Sequence, residues 1–261
     1  MNAGDNLLRL YAKSTSFYDA IYDVIYDAYS SKNYKSESNR LRQLIKRYKR
    51  SDGRSLLDVA VGTGRHLYYL KAWFDVEGLD INRKMLARAQ ERNPGVKLHQ
   101  GDMLTFKLPK KFDVISCLFS AIGYMTTLAK LRRAILTMSI HLKPGGVLII
   151  EPWITPRNFK SGKLHAALVN QPELKLARIG RSLARGKISL IDFHYLIATP
   201  ERIRYFRETE KFGLFTHSEY LGALRAAGLR VAYDRKGLTG RGLYLGVKPR
   251  VATCEIFLSE S

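Results

Sequence analysis

The sequence predicts an α/β fold: a mostly parallel, seven-stranded sheet with helices on both faces, plus an antiparallel three-strand insertion after the fifth strand. Three observations carry this. From Leu56 onward, short apolar runs alternate with amphipathic segments, as expected of strands joined by crossover helices. The first run, Leu56-Leu57-Asp58-Val59-Ala60, passes through Val61-Gly62-Thr63-Gly64 directly into a helical pattern. After Pro152 the rhythm breaks and three period-two segments follow.

The elements follow in chain order. Tyr18, Tyr22, Tyr26 and Tyr29 fall at helical spacing near the N-terminus, and 39–48 reads as an amphipathic helix with Leu41, Leu44 and Ile45 inward. Strands are expected at 55–60, 75–79, 96–99, 112–118 and 146–151, with helices at about 64–73, 83–92 and 127–141. Asn93-Pro94-Gly95 and Lys143-Pro144-Gly145-Gly146 supply turn chemistry between them. The runs Val114-Ile115-Ser116-Cys117-Leu118 and Val147-Leu148-Ile149-Ile150 suit central strands covered on both faces. Residues 155–172 read as loop or short helix, and 174–183, 187–198 and 202–212 as the antiparallel strands. A helix at 217–227 and strands near 229–234 and 243–248 complete the sheet. The expected organisation is therefore 1–50, an N-terminal helical lid and first helix; 51–154, the core; 155–215, an antiparallel cover; and 216–261, the C-terminal part of the core sheet.

Composition narrows the function. The 261 residues are enough to bury a full core, and no apolar run is long enough to cross a bilayer. Residues Met1 to Arg9 lack the basic-then-apolar order of a secretory signal, so a cytoplasmic location is expected. Cys117 and Cys254 form neither a disulfide framework nor a metal pattern, and Cys117 reads as a core residue. No metal is expected. The net charge of +21 points either to a solvated cationic surface or to an anionic partner, RNA or a phosphorylated small molecule.

The glycine turn decides the ligand class. A dinucleotide fingerprint needs a third glycine where Leu67 stands, and no Gly-Lys-Ser/Thr follows for a phosphate-cradling loop. A hydrolase elbow, Gly-x-Ser-x-Gly, is also missing. What remains, Asp58-x-x-x-Gly62-x-Gly64 with Asp80 ending the next strand, resembles motif I of the Rossmann-like S-adenosylmethionine (SAM) methyltransferases. Gln100-Gly101-Asp102-Met103, Phe112-Asp113-Val114-Ile115 to Phe119-Ser120, and Leu142-Lys143-Pro144-Gly145-Gly146 follow in the order that family requires.

Within that superfamily, Phe17-Tyr18-Asp19, Leu56 to His66, Cys117 to Met125, Ile150-Glu151-Pro152-Trp153, Asp192-Phe193-His194-Tyr195 and Gly240-Arg241-Gly242-Leu243 are similar to the N,N-dimethyltransferases of nucleotide-linked deoxyaminosugars. The similarity spans roughly residues 15 to 250. It implies SAM as cofactor, with a contact set of Tyr18, Tyr22, Tyr34, Asp58, Ala60, Gly62, Gly64, Asp80, Ile81, Asp102, Met103, Phe119 and Ser120. Asp80 is expected to accept from the ribose hydroxyls, or else to cap a helix; Asp58 either contacts SAM or shapes the loop. On the acceptor side the resemblance implies Tyr124, Glu151, His194 and Arg241. Glu151 would orient an amine or hydroxyl; His194 would relay a proton or else be a strand histidine with a satisfied hydrogen bond; Arg241 would pair with a substrate phosphate or else be a surface turn residue. The chain departs from the family pattern with Ala121 for Ser, Tyr124 for His and Asp80 for Glu. The expected acceptor is a small, anionic, nucleotide-linked molecule. RNA or protein methylation is the rival, with a non-catalytic SAM-binding protein as a second. A homodimer is compatible with either enzyme reading.

Overall fold

Successive residues along the central strands go to opposite faces. Leu57, Ile115 and Leu148 join one buried cluster with Leu131, Ile135 and Tyr220, while Leu56, Val114 and Ile149 join another with Leu41, Leu44 and Leu67. A strand needs continuous apolar sequence only when both its faces are covered. The two clusters are the two layers of helix on this sheet.

The computed structural model describes residues 32–250. Tyr18, Tyr22 and the rest of the N-terminal tyrosine stripe, Phe17-Tyr18-Asp19 and Cys254 lie outside the described residues. Strands β1 (Ser55–Val59), β2 (Asp75–Asp80), β3 (Lys97–Gln100), β4 (Phe112–Cys117) and β5 (Leu142–Ile150) are parallel. β11 (Leu243–Val247) lies antiparallel between β5 and β10 (Arg230–Asp234), giving the order β10-β11-β5-β4-β1-β2-β3. The order reverses between β4 and β1, so the crevice at their carboxyl ends is the switch point where such sheets bind ligands. Helices α1 (Tyr34–Tyr48), α2 (Arg65–Leu70) and α3 (Arg83–Arg92) supply one layer, and α4 (Leu128–Ile140) and α5 (His217–Ala226) the other.

The helix starts follow cap chemistry. Asn33 accepts from Ser36 N, Asn82 from Lys84 N and Met85 N, and Thr127 from Lys130 N; Thr216 and Glu219 form a reciprocal capping box. α1 begins five residues before the expected 39, at the Asn33 cap. Its first turn carries the buried polar residues Glu37 and Ser38, which an apolar period does not reveal. β5 begins at Leu142 rather than 146. Its Lys143 to Gly146 segment extends the strand at its N-terminal end, where Gly145 O accepts from Arg50 N and Ser51 N.

The insertion corrects the sequence reading. It has four antiparallel strands, not three: β6 (Leu164–Gln171), β7 (Leu174–Arg185), β8 (Ile188–Thr199) and β9 (Arg202–Gly213), in that order. β6 lies within the 155–172 stretch expected to be loop or short helix. As an edge strand with Ala166-Ala167 at its middle, it buries only Ala167 and Val169 and shows little alternation. The insertion has its own apolar cluster, built on Leu176, Tyr195 and Ile197. It is anchored to the core where Trp153 Nε1 donates to Ser189 Oγ at 2.9 Å and Phe212 stacks on Trp153.

Candidate active site

A cavity of about 1330 Å³ opens at the carboxyl ends of β1 and β4 and runs beneath the four-stranded sheet. Single ligand pockets are typically about 300–1,000 Å³, so the space suits two ligands end to end. Asp58, Ala60, Gly62, Asp80, Ile81, Asp102, Met103, Phe119 and Ser120 line it, as does Tyr34 from the start of α1.

At one end the chain leaves β1 through three left-handed residues: Ala60 at φ +59°, Gly62 at +57° and Gly64 at +72°. At Ala60, a residue with a Cβ, this conformation costs roughly 1–2 kcal/mol. The bend aims Gly62 N–H at Asp80 Oδ2, 2.8 Å away, while Asn82 N–H donates to Asp80 Oδ1 at 2.8 Å. The Ile81 N–H also turns toward this carboxylate, and the side chain lines the cavity with acceptor capacity left over. Two adjacent acceptors at the end of β2 fit a vicinal diol such as a ribose. Burial pushes the Asp80 carboxyl up, and the backbone hydrogen bonds oppose it.

Gly64 does not line the cavity, contrary to its expected cofactor contact. A Cβ there would fall 2.6 Å from Asn93 Nδ2 and 3.1 Å from Ala89 Cβ. Its glycine is required by close packing on α3, where buried Asn93 donates to Gly64 O at 3.0 Å. Asp58 is buried and accepts from Ser116 Oγ at 2.7 Å. Burial pushes its carboxyl up to about 6, against the pull of His66 and the Ser116 hydrogen bond. Asp102 accepts from Leu104 N at 2.8 Å, which sets the turn that presents Met103 as an apolar wall.

Sequence reasoning passed over a buried ionic cluster beside this turn. Glu37 accepts from His66 Nε2 and from Lys32 Nζ, both at 2.8 Å, and all three line the cavity. Burial works to raise the Glu37 carboxyl, but the His66 hydrogen bond and the Lys32 charge together hold it below its usual range.

At the other end, Tyr124, Trp153 and Phe212 form an aromatic wall, with Tyr124 and Phe212 centroids 4.8 Å apart. Arg241 lies over the Trp153 ring at 4.9 Å and donates to Ser120 Oγ at 2.6 Å, so it does reach inward. The insertion adds His165, Arg178 and Glu210, and the loop before β6 adds Lys160 and Lys163.

Two expected acceptor-side residues are placed elsewhere. Glu151 is fully buried, and its oxygens accept from Phe119 N and Thr239 Oγ1, both at 2.7 Å. It does not line the cavity; it braces Phe119 and Ser120, which sit at φ +50° and +61°. His194 is a correction of face. On β8 the side chains alternate, and it is Phe193 that lines the cavity. The His194 side chain is 43% exposed on the opposite face, with Nδ1 2.6 Å from Tyr205 Oη.

Residues 56–146 match a methyltransferase domain model. The dTDP-3-amino-3,4,6-trideoxy-alpha-D-glucopyranose N,N-dimethyltransferase of Streptomyces venezuelae is 38% identical over 87% of this chain and 96% of its own length. The dTDP-4-amino-2,3,4,6-tetradeoxy-D-glucose N,N-dimethyltransferase of Saccharopolyspora spinosa is 38% identical over 91% and 97%. The chain belongs to the SAM-dependent sugar N-methyltransferases. Among solved members, the SAM-bound amino pentose methyltransferase CalS10 of Micromonospora echinaspora superposes with a TM-score of 0.80 at 39% identity, covering 89% of this chain and 96% of that one. DesVI of Streptomyces venezuelae superposes at 0.83 and 36% identity, covering 88% and 98%.

Membership of this methyltransferase family gives the cavity its chemistry. SAM supplies an electrophilic methyl on a sulfonium, and the protein's task is to hold an acceptor lone pair in line with it. The Gly62 bend and Asp80 present hydrogen-bonding groups of the kind a nucleoside needs, and the crevice beside Phe119 leads to the aromatic wall. SAM is cationic at sulfur, and an ionised carboxylate lining the same cavity attracts a cation. SAM affinity is therefore expected to fall as pH drops through about 6, and an Asp58→Asn variant to show a flatter profile by calorimetry between pH 5 and 7.5. The stability contribution has the opposite sense. A carboxyl raised by folding favours the folded state fully below its unfolded value, and that contribution is lost as pH rises through about 6.

Proposed function

We propose that the acceptor is the amino group of a nucleotide-linked deoxyaminosugar. One observation supports this most: the half of the cavity away from the glycine turn combines an aromatic wall with Lys160, Lys163, Arg178 and Arg241. Guanidinium and ammonium groups suit a diphosphate, and Trp153 and Phe212 suit a sugar or base ring. The cationic side chains nearest the reaction lie inside this enclosure, which favours a small anionic acceptor over RNA. An open, polar acceptor half also speaks against a non-catalytic SAM-binding role. The relatives named above act on dTDP-linked aminosugars according to their names, and this chain would use the same class.

The test is methyl transfer from labelled SAM to dTDP-aminosugars and to total RNA. Aminosugar turnover with no RNA labelling is expected. Arg241→Ala should raise KM for the nucleotide-linked acceptor about 10- to 100-fold, one charge-assisted contact, with much less change in the SAM dissociation constant. Equal losses for both ligands would remove the phosphate assignment.

The outer face of the insertion supports a homodimer in the same proposal. Leu164, Leu168, Ile179, Leu196, Ile203 and Tyr205 are each more than half exposed on it. Patches of this kind mark protein interfaces. Asp192, the acidic group on that face, is already paired with Arg207 at 2.9 Å, so a second copy could meet it without burying an unpaired carboxylate. Sedimentation should give a dimer that Ile179→Glu converts to monomer; a monomeric wild-type protein would end this part of the proposal.

A further inference from the structure

The cavity's acidic groups divide unevenly. Asp58, Asp80 and Asp102 stand at the cofactor end, and Glu37 is held by His66 and Lys32. Among the described residues that the insertion contributes to the lining, one is acidic: Glu210 on β9, 8% exposed. Its strand register sets it beside Ile191, which in turn pairs with Ser182, and all three side chains reach the cavity. Across from it, the Tyr124 hydroxyl donates to Glu210 Oε1 at 3.3 Å, on the wall formed with Phe212 and Trp153. Glu151, the carboxylate that sequence reasoning placed near the amine, is fully committed to Phe119 and Thr239.

We propose that Glu210 binds the acceptor amine and takes its proton, with Tyr124 fixing the carboxylate's direction. This rests on the amine acceptor proposed above. An amine reaching the site at neutral pH arrives largely as ammonium, which has no lone pair to attack. Glu210 accepts one N–H in a charge-assisted hydrogen bond and removes that proton, freeing the lone pair. The nitrogen then forms its bond to the methyl carbon as the carbon–sulfur bond breaks, its electron pair staying on sulfur. The new N-methylammonium carries one surplus proton, which leaves through water once the carboxyl has exchanged its own. Among the described residues, Tyr124 from the 3₁₀ turn at Ala121–Tyr124 contacts Glu210, Glu208 lies two residues away on its own strand, and His165 from β6, Arg178 from β7, Lys163 from the loop before β6 and Arg241 from the β10–β11 loop line the same cavity.

The test uses Glu210→Gln, Glu210→Asp and Tyr124→Phe in the full-length protein with a dTDP-aminosugar. At pH 7, Glu210→Gln should lower kcat/KM about 100-fold. The deficit should shrink as pH rises toward 9, where the amine arrives neutral, and Glu210→Asp should restore part of the rate. Without SAM, calorimetry should show weaker acceptor binding by Glu210→Gln, with SAM affinity unchanged within about twofold. Tyr124→Phe should lose less rate and keep the wild-type pH profile. A Glu210→Gln variant with wild-type rate and profile overturns the assignment, as does one that loses SAM and acceptor affinity equally. Failure of the wild-type protein to methylate any dTDP-aminosugar would instead defeat the acceptor reading itself.

Discussion

Asp80→Ala is expected to weaken SAM binding by about 10²- to 10⁴-fold. The carboxylate takes backbone N–H groups of Gly62, Asn82 and Ile81 and still faces the cavity, where it can accept from a vicinal diol. Hydrogen bonds to a charged group contribute about 1.5–3 kcal/mol each, so losing two removes about 3–6 kcal/mol at about 1.4 kcal/mol per tenfold. The substitution also leaves the Gly62 amide without its acceptor, which loosens the bend itself. Asp80→Asn should be nearly as damaging, because the carboxamide nitrogen would point a donor at the amide of either Gly62 or Asn82. Calorimetry with SAM, alongside a denaturant midpoint, checks both. A near-native dissociation constant for Asp80→Ala would remove the ribose assignment.

The second large effect belongs to Glu151→Ala. This carboxylate has no exposed surface and accepts from Phe119 N and Thr239 Oγ1. Removing it orphans the Phe119 amide, at a cost of about 1–3 kcal/mol, and empties the space of a fully buried side chain, while the exposed Thr239 hydroxyl can turn to water. Phe119 and Ser120 hold left-handed backbones between the two halves of the cavity, and such conformations persist only where neighbours enforce them. Glu151→Ala is therefore expected to lower stability by about 2–5 kcal/mol and to reduce kcat at temperatures where the variant stays folded. Glu151→Gln should be much milder, because its carboxamide oxygen can still accept from Phe119 N. Retention of wild-type kcat and midpoint by Glu151→Ala would show that the brace is dispensable.

What was legible in the sequence follows from burial. The central strands announced themselves because Leu56-Leu57, Val114-Ile115 and Leu148-Ile149 feed two cores at once. β6 stayed hidden because an edge strand with small central residues carries little alternation. The bend at Gly62 and the carboxylate ending the next strand, which make up the proposed cofactor end, were readable because each is set locally. The acceptor end is assembled from β4, β5, the insertion and the β10–β11 loop, and residue type alone cannot say which way a side chain points. His194 was one residue out of phase with the cavity, and Glu151 pointed into the core. Glu210 did leave a signal. Glu208, Glu210 and Phe212 alternate on one face of β9, and two acids sharing a face with a buried aromatic are unusual unless that face meets something polar.

The four-stranded sheet has an apolar cluster of its own and enters the chain between β5 and α5 as one uninterrupted segment. Most of the groups proposed to recognise the acceptor ride on it or on the loop leading into it, while the SAM groups sit on the parallel strands. On the proposed assignments, substrate preference and donor affinity are written on separable stretches of polypeptide. A chimera exchanging 155–215 for the matching segment of a relative should inherit that relative's choice of sugar, provided Trp153 finds a hydroxyl partner to replace Ser189.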